Sequence, residues 1–84
     1  MELGTQFQQA TQDVLKLSER PSNDALLALY ALYKQATDGD VSGKRPGLMD
    51  LKGRKKYDAW AGKKGMSKDA AMKEYVALVS SLQA

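Results

Sequence analysis

Hydrophobic residues recur at intervals of three and four along four separate stretches of the chain, and no stretch keeps the two-residue alternation of a β-strand. The first stretch follows Thr5, the second covers about residues 24–37, the third runs from Asp50 to about residue 64, and the fourth follows Ser67 nearly to the end. The periodic positions of the first and last stretches are Phe7, Ala10, Thr11, Val14 and Leu17, and Met72, Tyr75, Val76, Val79 and Leu82. The pattern therefore predicts an all-α fold of four helices.

Residues that favour helix ends stand at the borders of these stretches. Side chains of Ser, Thr, Asn and Asp can accept a hydrogen bond from the free N–H groups of a first helical turn, and glycine can take the left-handed conformation that ends a helix. The predicted caps are a capping box at Thr5 and Gln8, Ser22 or Asn23 after Pro21, Asp50, Ser67, and Gly65 at the end of the third helix.

A long polar segment, TDGDVSGKRPGLMD at residues 37–50, joins the second and third predicted helices. Loops of this length are uncommon in compact domains and often functional, and this one allows the flanking helices to lie parallel. Asp38, Asp40 and Ser42 match the first ligand positions of a calcium loop, but the twelfth position is Met49 instead of a bidentate glutamate. We therefore predict a polar turn and no metal site.

Composition narrows the possible chemistry. The 84 residues suffice for one domain, which we expect to span 1–84, and they include neither cysteine nor histidine. Thiolate chemistry, the commonest general base and the commonest metal ligand are thus all missing, which argues against an enzyme. The N-terminus lacks the pattern of a signal peptide and no apolar run approaches the ~18 residues of a membrane span, so we expect a cytosolic protein.

Charge is unevenly distributed along the chain. The total is +3, but residues 1–43 carry −3 and residues 44–84 carry +6. The segment KGRKKYDAW concentrates Lys52, Arg54, Lys55 and Lys56 within one and a half helical turns. These cations form either a solvated helical face or a clamp for an anion. A nucleic acid, a membrane surface or a phosphorylated small molecule would each fit, although the acidic first half argues against nucleic acid.

The second predicted helix has two apolar sides. At ~100° per residue, Leu29 and Leu32 lie on one side. The other side holds Leu26, Leu27, Tyr30, Tyr33 and Lys34. Two interpretations stay open: the tyrosines pack on neighbouring helices with their hydroxyls in water, or this side is covered by a ligand. Aromatic rings, a cation and leucines together suit a fatty acyl chain joined to a phosphorylated nucleotide.

Residues 29–79 resemble the signature region of the acyl-CoA-binding protein family. The matching motifs are YxxYKQAT, a GD…RPG loop, DLKGRKKYDAW, and SKxxAMxxY in the last helix, in the same order and at matching separations. The resemblance implies an up-down-down-up four-helix bundle with the long loop as an overhand connection. It also implies a monomeric, non-enzymatic carrier that reversibly binds medium- to long-chain acyl-CoA without a cofactor, and contacts membranes or acyl-CoA-using enzymes transiently. A small basic helical nucleic-acid-binding module is the alternative hypothesis.

The resemblance also implies a set of ligand contacts. The matching positions are Tyr30, Tyr33, Lys34, Lys52, Lys56 and Tyr75. Family residues at the position of Tyr33 stack near the adenine, and those at Tyr30, Lys34 and Lys56 address the 3′-phosphate region. The acyl chain of such a ligand lies in an apolar groove that the coenzyme A head group partly covers.

One position departs from the family pattern. Leu15 stands where many family members carry a lysine, and Lys16 is rotated by about 100° around the helix and so cannot be assumed to replace it. One expectation is that Leu15 extends the acyl groove and changes affinity or chain-length preference. Tyr57 occupies the position of a common second tryptophan, which leaves Trp60 as the only indole.

Overall fold

Four α-helices make up most of the protein, for which the computed structural model describes residues 2–84. They are α1 (Leu3–Asp13), α2 (Asn23–Thr37), α3 (Leu51–Ala61) and α4 (Lys68–Gln83). A short 3₁₀ turn at Val14–Lys16 extends α1, and no strand occurs within the described range. The predicted all-α fold is confirmed. None of the helices in residues 2–84 combines the length and hydropathy that crossing a bilayer requires.

The helices form the predicted up-down-down-up bundle. Helix α2 packs against both α4 and α3, and α1 packs on α4. The parallel course of α2 and α3 is visible in two pairs across their interface: Lys56 lies over the ring of Tyr30, and Lys34 lies over the ring of Trp60. One step of four residues along α2 thus matches one step of four along α3, which requires that both helices run in the same direction.

The core lies between α1, α2 and α4. Its buried side chains are Phe7, Ala10, Leu29, Leu32, Ala36, Ala71, Tyr75 and Val79. Phe7 and Tyr75 meet edge to face with ring centroids 5.1 Å apart, a favoured geometry for aromatic pairs. Leu29 and Leu32 therefore occupy the core side of α2, as predicted from the periodicity.

Three of the predicted N-caps are present. The side-chain oxygens of Ser22, Asp50 and Ser67 each accept a hydrogen bond from the backbone N–H three residues later, at 3.1, 2.9 and 3.0 Å. A Cβ atom at Gly53 would overlap the Asp50 carboxylate, so glycine leaves room for this cap as it stands. These caps set the first turns of α2, α3 and α4.

Two predicted helix ends are wrong. Helix α1 begins at Leu3, after Glu2, so Thr5 and Gln8 lie inside the helix and do not form its capping box. Helix α3 ends at Ala61 instead of at residue 63 or 64, because the following turns are tightened by bonds between residues three apart. Gly65 nevertheless takes the left-handed conformation expected of it, with φ of 93°.

The long loop is tied to the bundle at its first half. The carboxylate of Asp40 accepts hydrogen bonds from the buried Gln35 side chain and from the N–H of Gly65, both at 2.9 Å. The hydrogen bond from the Gly65 N–H lowers the pKa of Asp40, and the weaker effect of the bond from Gln35 acts in the same direction. The indole N–H of Trp60 donates to the carbonyl of Gly39 at 2.8 Å. Asp40, which the sequence places at a calcium-ligand position, thus joins α2 to the turn between α3 and α4.

The middle of the loop is fixed to α3. Arg45 donates two hydrogen bonds to the carboxylate of Asp58, with Nε 2.9 Å from Oδ1 and Nη2 2.7 Å from Oδ2. Tyr57 donates its hydroxyl to the carbonyl of Gly43 at 3.0 Å. The last part of the loop, residues 47–50, is exposed throughout.

Candidate functional site

An open groove of about 1050 Å³ runs between α2 and α3. Its lining residues are Arg20, Asn23, Asp24, Leu26, Leu27, Tyr30, Leu51, Lys52, Lys55, Lys56 and Asp58. The apolar part comes mainly from α2, through Leu26 and Leu27, and it is completed by Leu51 at the start of α3. The basic part comes from Lys52, Lys55 and Lys56 of α3, together with Arg20 before α2. The groove therefore combines a hydrocarbon surface with a cationic border.

Three of the six predicted ligand contacts meet in this groove. Tyr30, Lys52 and Lys56 all line it, and the ammonium of Lys56 lies 5.3 Å from the centroid of the Tyr30 ring. The cation stays exposed while it rests on the ring face, an arrangement that holds a flexible lysine in place without neutralising it. Lys56 is thus positioned to meet an anion at the border of the groove.

Lys34 lies one helical turn beyond Tyr30 and makes two contacts of its own. Its ammonium is 4.9 Å from the centroid of the Trp60 ring, and it forms an ion pair with Asp38. The hydrogen bond to Asp38, together with that carboxylate's charge, raises the pKa of Lys34 and lowers the pKa of Asp38. Lys34 is therefore a fixed cation at the far end of the α2–α3 interface, outside the lining of the groove.

Tyr33 and Tyr75 belong to an aromatic cluster with Phe7. The Tyr33 ring stacks on Phe7 at 5.8 Å and lies 6.4 Å from the Tyr75 ring. Tyr33 is 43% exposed, whereas Tyr75 is only 5% exposed. Burial, with a smaller contribution from Tyr33, raises the pKa of Tyr75. Tyr33 thus offers a supported ring to solvent, and the buried ring of Tyr75 supports it from below.

Both interpretations of the second side of α2 hold in part. The ring of Tyr33 packs on protein, as the structural interpretation requires, yet an exposed part of it remains. Leu26 packs against the core and also lines the groove, while Leu27 and Tyr30 are only partly buried. This side of α2 is therefore neither fully covered by protein nor simply solvated.

The structure does not place Leu15 in the groove between α2 and α3. Leu15 lies in the 3₁₀ turn after α1 and is 79% exposed, and the lining of the α2–α3 groove does not include it. The groove is built by α2 and α3 with the residues just before α2, so a side chain at the end of α1 has no place in its wall. With leucine at position 15 the lysine of many family members is absent, and the leucine side chain adds no hydrocarbon surface to the groove.

Sequence reasoning missed two features of the site. Leu51 lines the groove one helical turn before Lys55, and this i, i+4 spacing on α3 could have placed it beside the basic cluster. The pairing of Lys34 with Asp38 has the same spacing on α2 and was equally visible.

A four-helix bundle with an open groove, hydrocarbon on one wall and cations on the other, defines a class: a small helical binding protein whose site suits an amphipathic anion. The model of the family "Acyl CoA binding protein" matches residues 4–79. The chain belongs to this family. The family resemblance seen in the sequence is thereby confirmed.

Several relatives and solved structures are similar over nearly the whole chain. The acyl-CoA-binding protein homolog of Manduca sexta is 53% identical over 83 residues, which cover 98% of this chain and 92% of the relative. Homolog 1 of Caenorhabditis elegans is 54% identical over 76 residues, covering 90% and 88%. The crystal structure of Oryza sativa acyl-CoA-binding protein 2 superposes with a TM-score of 0.91 at 42% identity, over 95% of this chain and 87% of that one.

Proposed function

We propose that this chain, as a single domain over residues 1–84, reversibly binds medium- to long-chain acyl-CoA esters and carries and buffers them in the cytosol. The observation that carries the proposal is the α2–α3 groove, where apolar side chains and lysines line one continuous surface. The family membership supports the same ligand class. The proposed carrier is a monomer that catalyses no reaction and needs no cofactor.

The groove assigns different parts of the ligand to different residues. The hydrocarbon chain would lie against Leu26, Leu27 and Leu51, where its burial releases water from apolar surface. The phosphates would meet Lys52 and Lys56 at the border, where hydrogen bonds between ammonium and phosphate are charge-assisted. The family resemblance implies the same phosphate-binding region for Tyr30, whose ring carries the Lys56 ammonium.

The nucleotide end of the ligand would extend beyond the groove along α2. Lys34 would supply a further cation for the 3′-phosphate, and the exposed part of the Tyr33 ring would offer a surface on which adenine stacks. The buried Tyr75 would act through Tyr33 by holding its ring in place. All six proposed contacts thus have a role, five of them toward the ligand and one as support.

Titration calorimetry with a long-chain acyl-CoA tests the proposal. We expect saturation at one ester per chain and an affinity that keeps a large salt-resistant part, because burial of hydrocarbon does not release counterions. A short DNA duplex serves as the control, since binding to nucleic acid weakens steeply as salt is raised. The absence of ester binding, or tighter salt-sensitive binding of the duplex, would contradict the proposal.

Asp38 competes with the ligand for Lys34. In the structure the Asp38 carboxylate holds the Lys34 ammonium, so an incoming phosphate has to replace it. We expect Asp38→Asn to tighten acyl-CoA binding by about two- to fivefold, the range that an exposed ion pair of this kind contributes. Calorimetric titration of both proteins measures the difference.

The matched control is Asp69→Asn, which removes an equal charge from the first turn of α4 at a carboxylate that forms no ion pair with Lys34. Its affinity should stay at the wild-type value. Equal tightening in both variants would show a general effect of net charge and no competition at Lys34.

A further inference from the structure

The end of the long loop exposes two large apolar side chains at the centre of a turn. The N–H of Asp50 donates to the carbonyl of Gly47 at 3.0 Å, which makes Leu48 and Met49 the central residues of a four-residue turn. Leu48 is 78% exposed and Met49 is 97% exposed. Turn centres usually carry glycine, proline, asparagine, aspartate or serine, so the requirements of the turn do not explain this pair. We call Leu48 and Met49 the loop tip.

The loop tip plays no part in the contacts that hold the protein together. Neither residue belongs to the core or lines the α2–α3 groove. Among residues 2–84 the structure exposes five large hydrophobic side chains, and three of them fall between 48 and 51. Single exposed apolar residues are ordinary, but a cluster of this kind marks an interaction surface.

Cations flank the loop tip along the chain. Residues 44–56 contain six lysines and arginines and a single carboxylate, Asp50, whose side chain caps α3. Arg45 is paired with Asp58. Lys44, Lys52 and Lys55 are exposed, and they form no ion pair with any residue of the described chain. The tip therefore lies in a strongly basic segment that contains these three unpaired lysines.

We propose that the loop tip is a docking site for the surface of an anionic lipid bilayer. Leu48 and Met49 insert among the upper acyl chains, and Lys44, Lys52 and Lys55 contact the lipid headgroups. Apolar side chains flanked by lysines bind such interfaces by this combination of insertion and charge. Two inserted side chains give weak, reversible attachment, which suits a protein that leaves the surface again.

The size of the patch favours a bilayer over a protein partner. A stable protein interface buries roughly 800 Å² on each side and needs an apolar centre with a polar rim of matched charge. The loop tip offers two consecutive side chains and a rim of one sign. Two apolar side chains and nearby cations are sufficient for binding to a fluid, negatively charged bilayer surface.

Docking would also orient the groove. Leu51 follows the loop tip directly and lines the α2–α3 groove together with Lys52 and Lys55. A docked molecule therefore holds that end of the groove against the bilayer, where an acyl chain can pass between lipid and protein with little exposure to water. This orientation rests on the proposed function, whereas the docking itself does not.

Flotation with lipid vesicles tests the docking. The full chain is mixed with vesicles of phosphatidylcholine containing about 30% phosphatidylserine, and with vesicles of phosphatidylcholine alone. We expect binding to the anionic vesicles only, and a loss of about tenfold in the partition coefficient for the double variant Leu48→Ser, Met49→Ser. Leu15→Ser is the matched control, because it removes an equally exposed leucine far along the chain from the tip and should partition as the wild type does.

Three results would overturn the proposal. The wild type could fail to float with anionic vesicles, which would leave a protein partner as the occupant of the tip. The double variant could float as well as the wild type or as Leu15→Ser. Finally, the double variant could lose binding of soluble acyl-CoA in calorimetry without vesicles, which would assign the tip to the ligand site. Flotation as expected in a protein that binds no acyl-CoA would support the docking and refute only the proposed function.

Discussion

Free coenzyme A should bind this protein at least about a thousandfold more weakly than a long-chain acyl-CoA. Each methylene taken out of water contributes up to ~0.8 kcal/mol, so five or six methylenes against the apolar wall of the groove account for this factor. Titration calorimetry with coenzyme A and with esters of increasing chain length measures it. The control is the series itself, since affinity should rise with each added pair of carbons until the groove is filled.

The chain-length series separates two mechanisms. If the hydrocarbon dominates affinity, the lysines fix the orientation of the ligand and select the nucleotide. Equal affinities for free coenzyme A and for the ester would show that the head group alone is recognised. The apolar surface of Leu26, Leu27 and Leu51 would then have no role in binding.

Lys34→Ala should weaken acyl-CoA binding by about tenfold or more without unfolding the bundle. A hydrogen bond between a lysine and a phosphate contributes ~1.5–3 kcal/mol, and its loss explains the reduced affinity. The effect on stability should be small, because the Lys34 ammonium pairs with an exposed carboxylate. Calorimetry measures the affinity, and urea unfolding followed by circular dichroism measures the stability.

Lys73→Ala is the matched control for this substitution. It removes one exposed lysine from α4, which contributes no residue to the groove lining. Its affinity for acyl-CoA should remain at the wild-type value. Equal losses in the two variants would mean that net charge attracts the ligand and that Lys34 has no specific contact.

The helical architecture was predictable because apolar periodicity and capping residues agree along most of this chain. The start of α1 shows the limit of that agreement. Thr5 and Gln8 have the residue types and the spacing of a capping box, but the helix continues back to Leu3. Local sequence gives several residues the ability to cap, but the residue that precedes this helix is Glu2, whose side chain makes no capping hydrogen bond.

The site was predictable for side chains that face the groove between α2 and α3, and less so for a side chain that a neighbour covers. Tyr30, Lys52 and Lys56 come together as expected, since each faces the α2–α3 interface. The sequence marks Tyr75 as a position of the ligand set, but its ring is buried beneath Tyr33. Exposure depends on what packs above a residue, and periodicity carries no information about that.

The pairing of Lys34 with Trp60 has a spectroscopic consequence. Trp60 is the only indole of the chain, its N–H is fixed by the carbonyl of Gly39, and the Lys34 ammonium lies over its ring. Indole emission responds to a charge placed over the ring. A phosphate that draws Lys34 away would therefore change the fluorescence of a single, immobilised fluorophore, so the native protein carries its own optical reporter of ligand arrival.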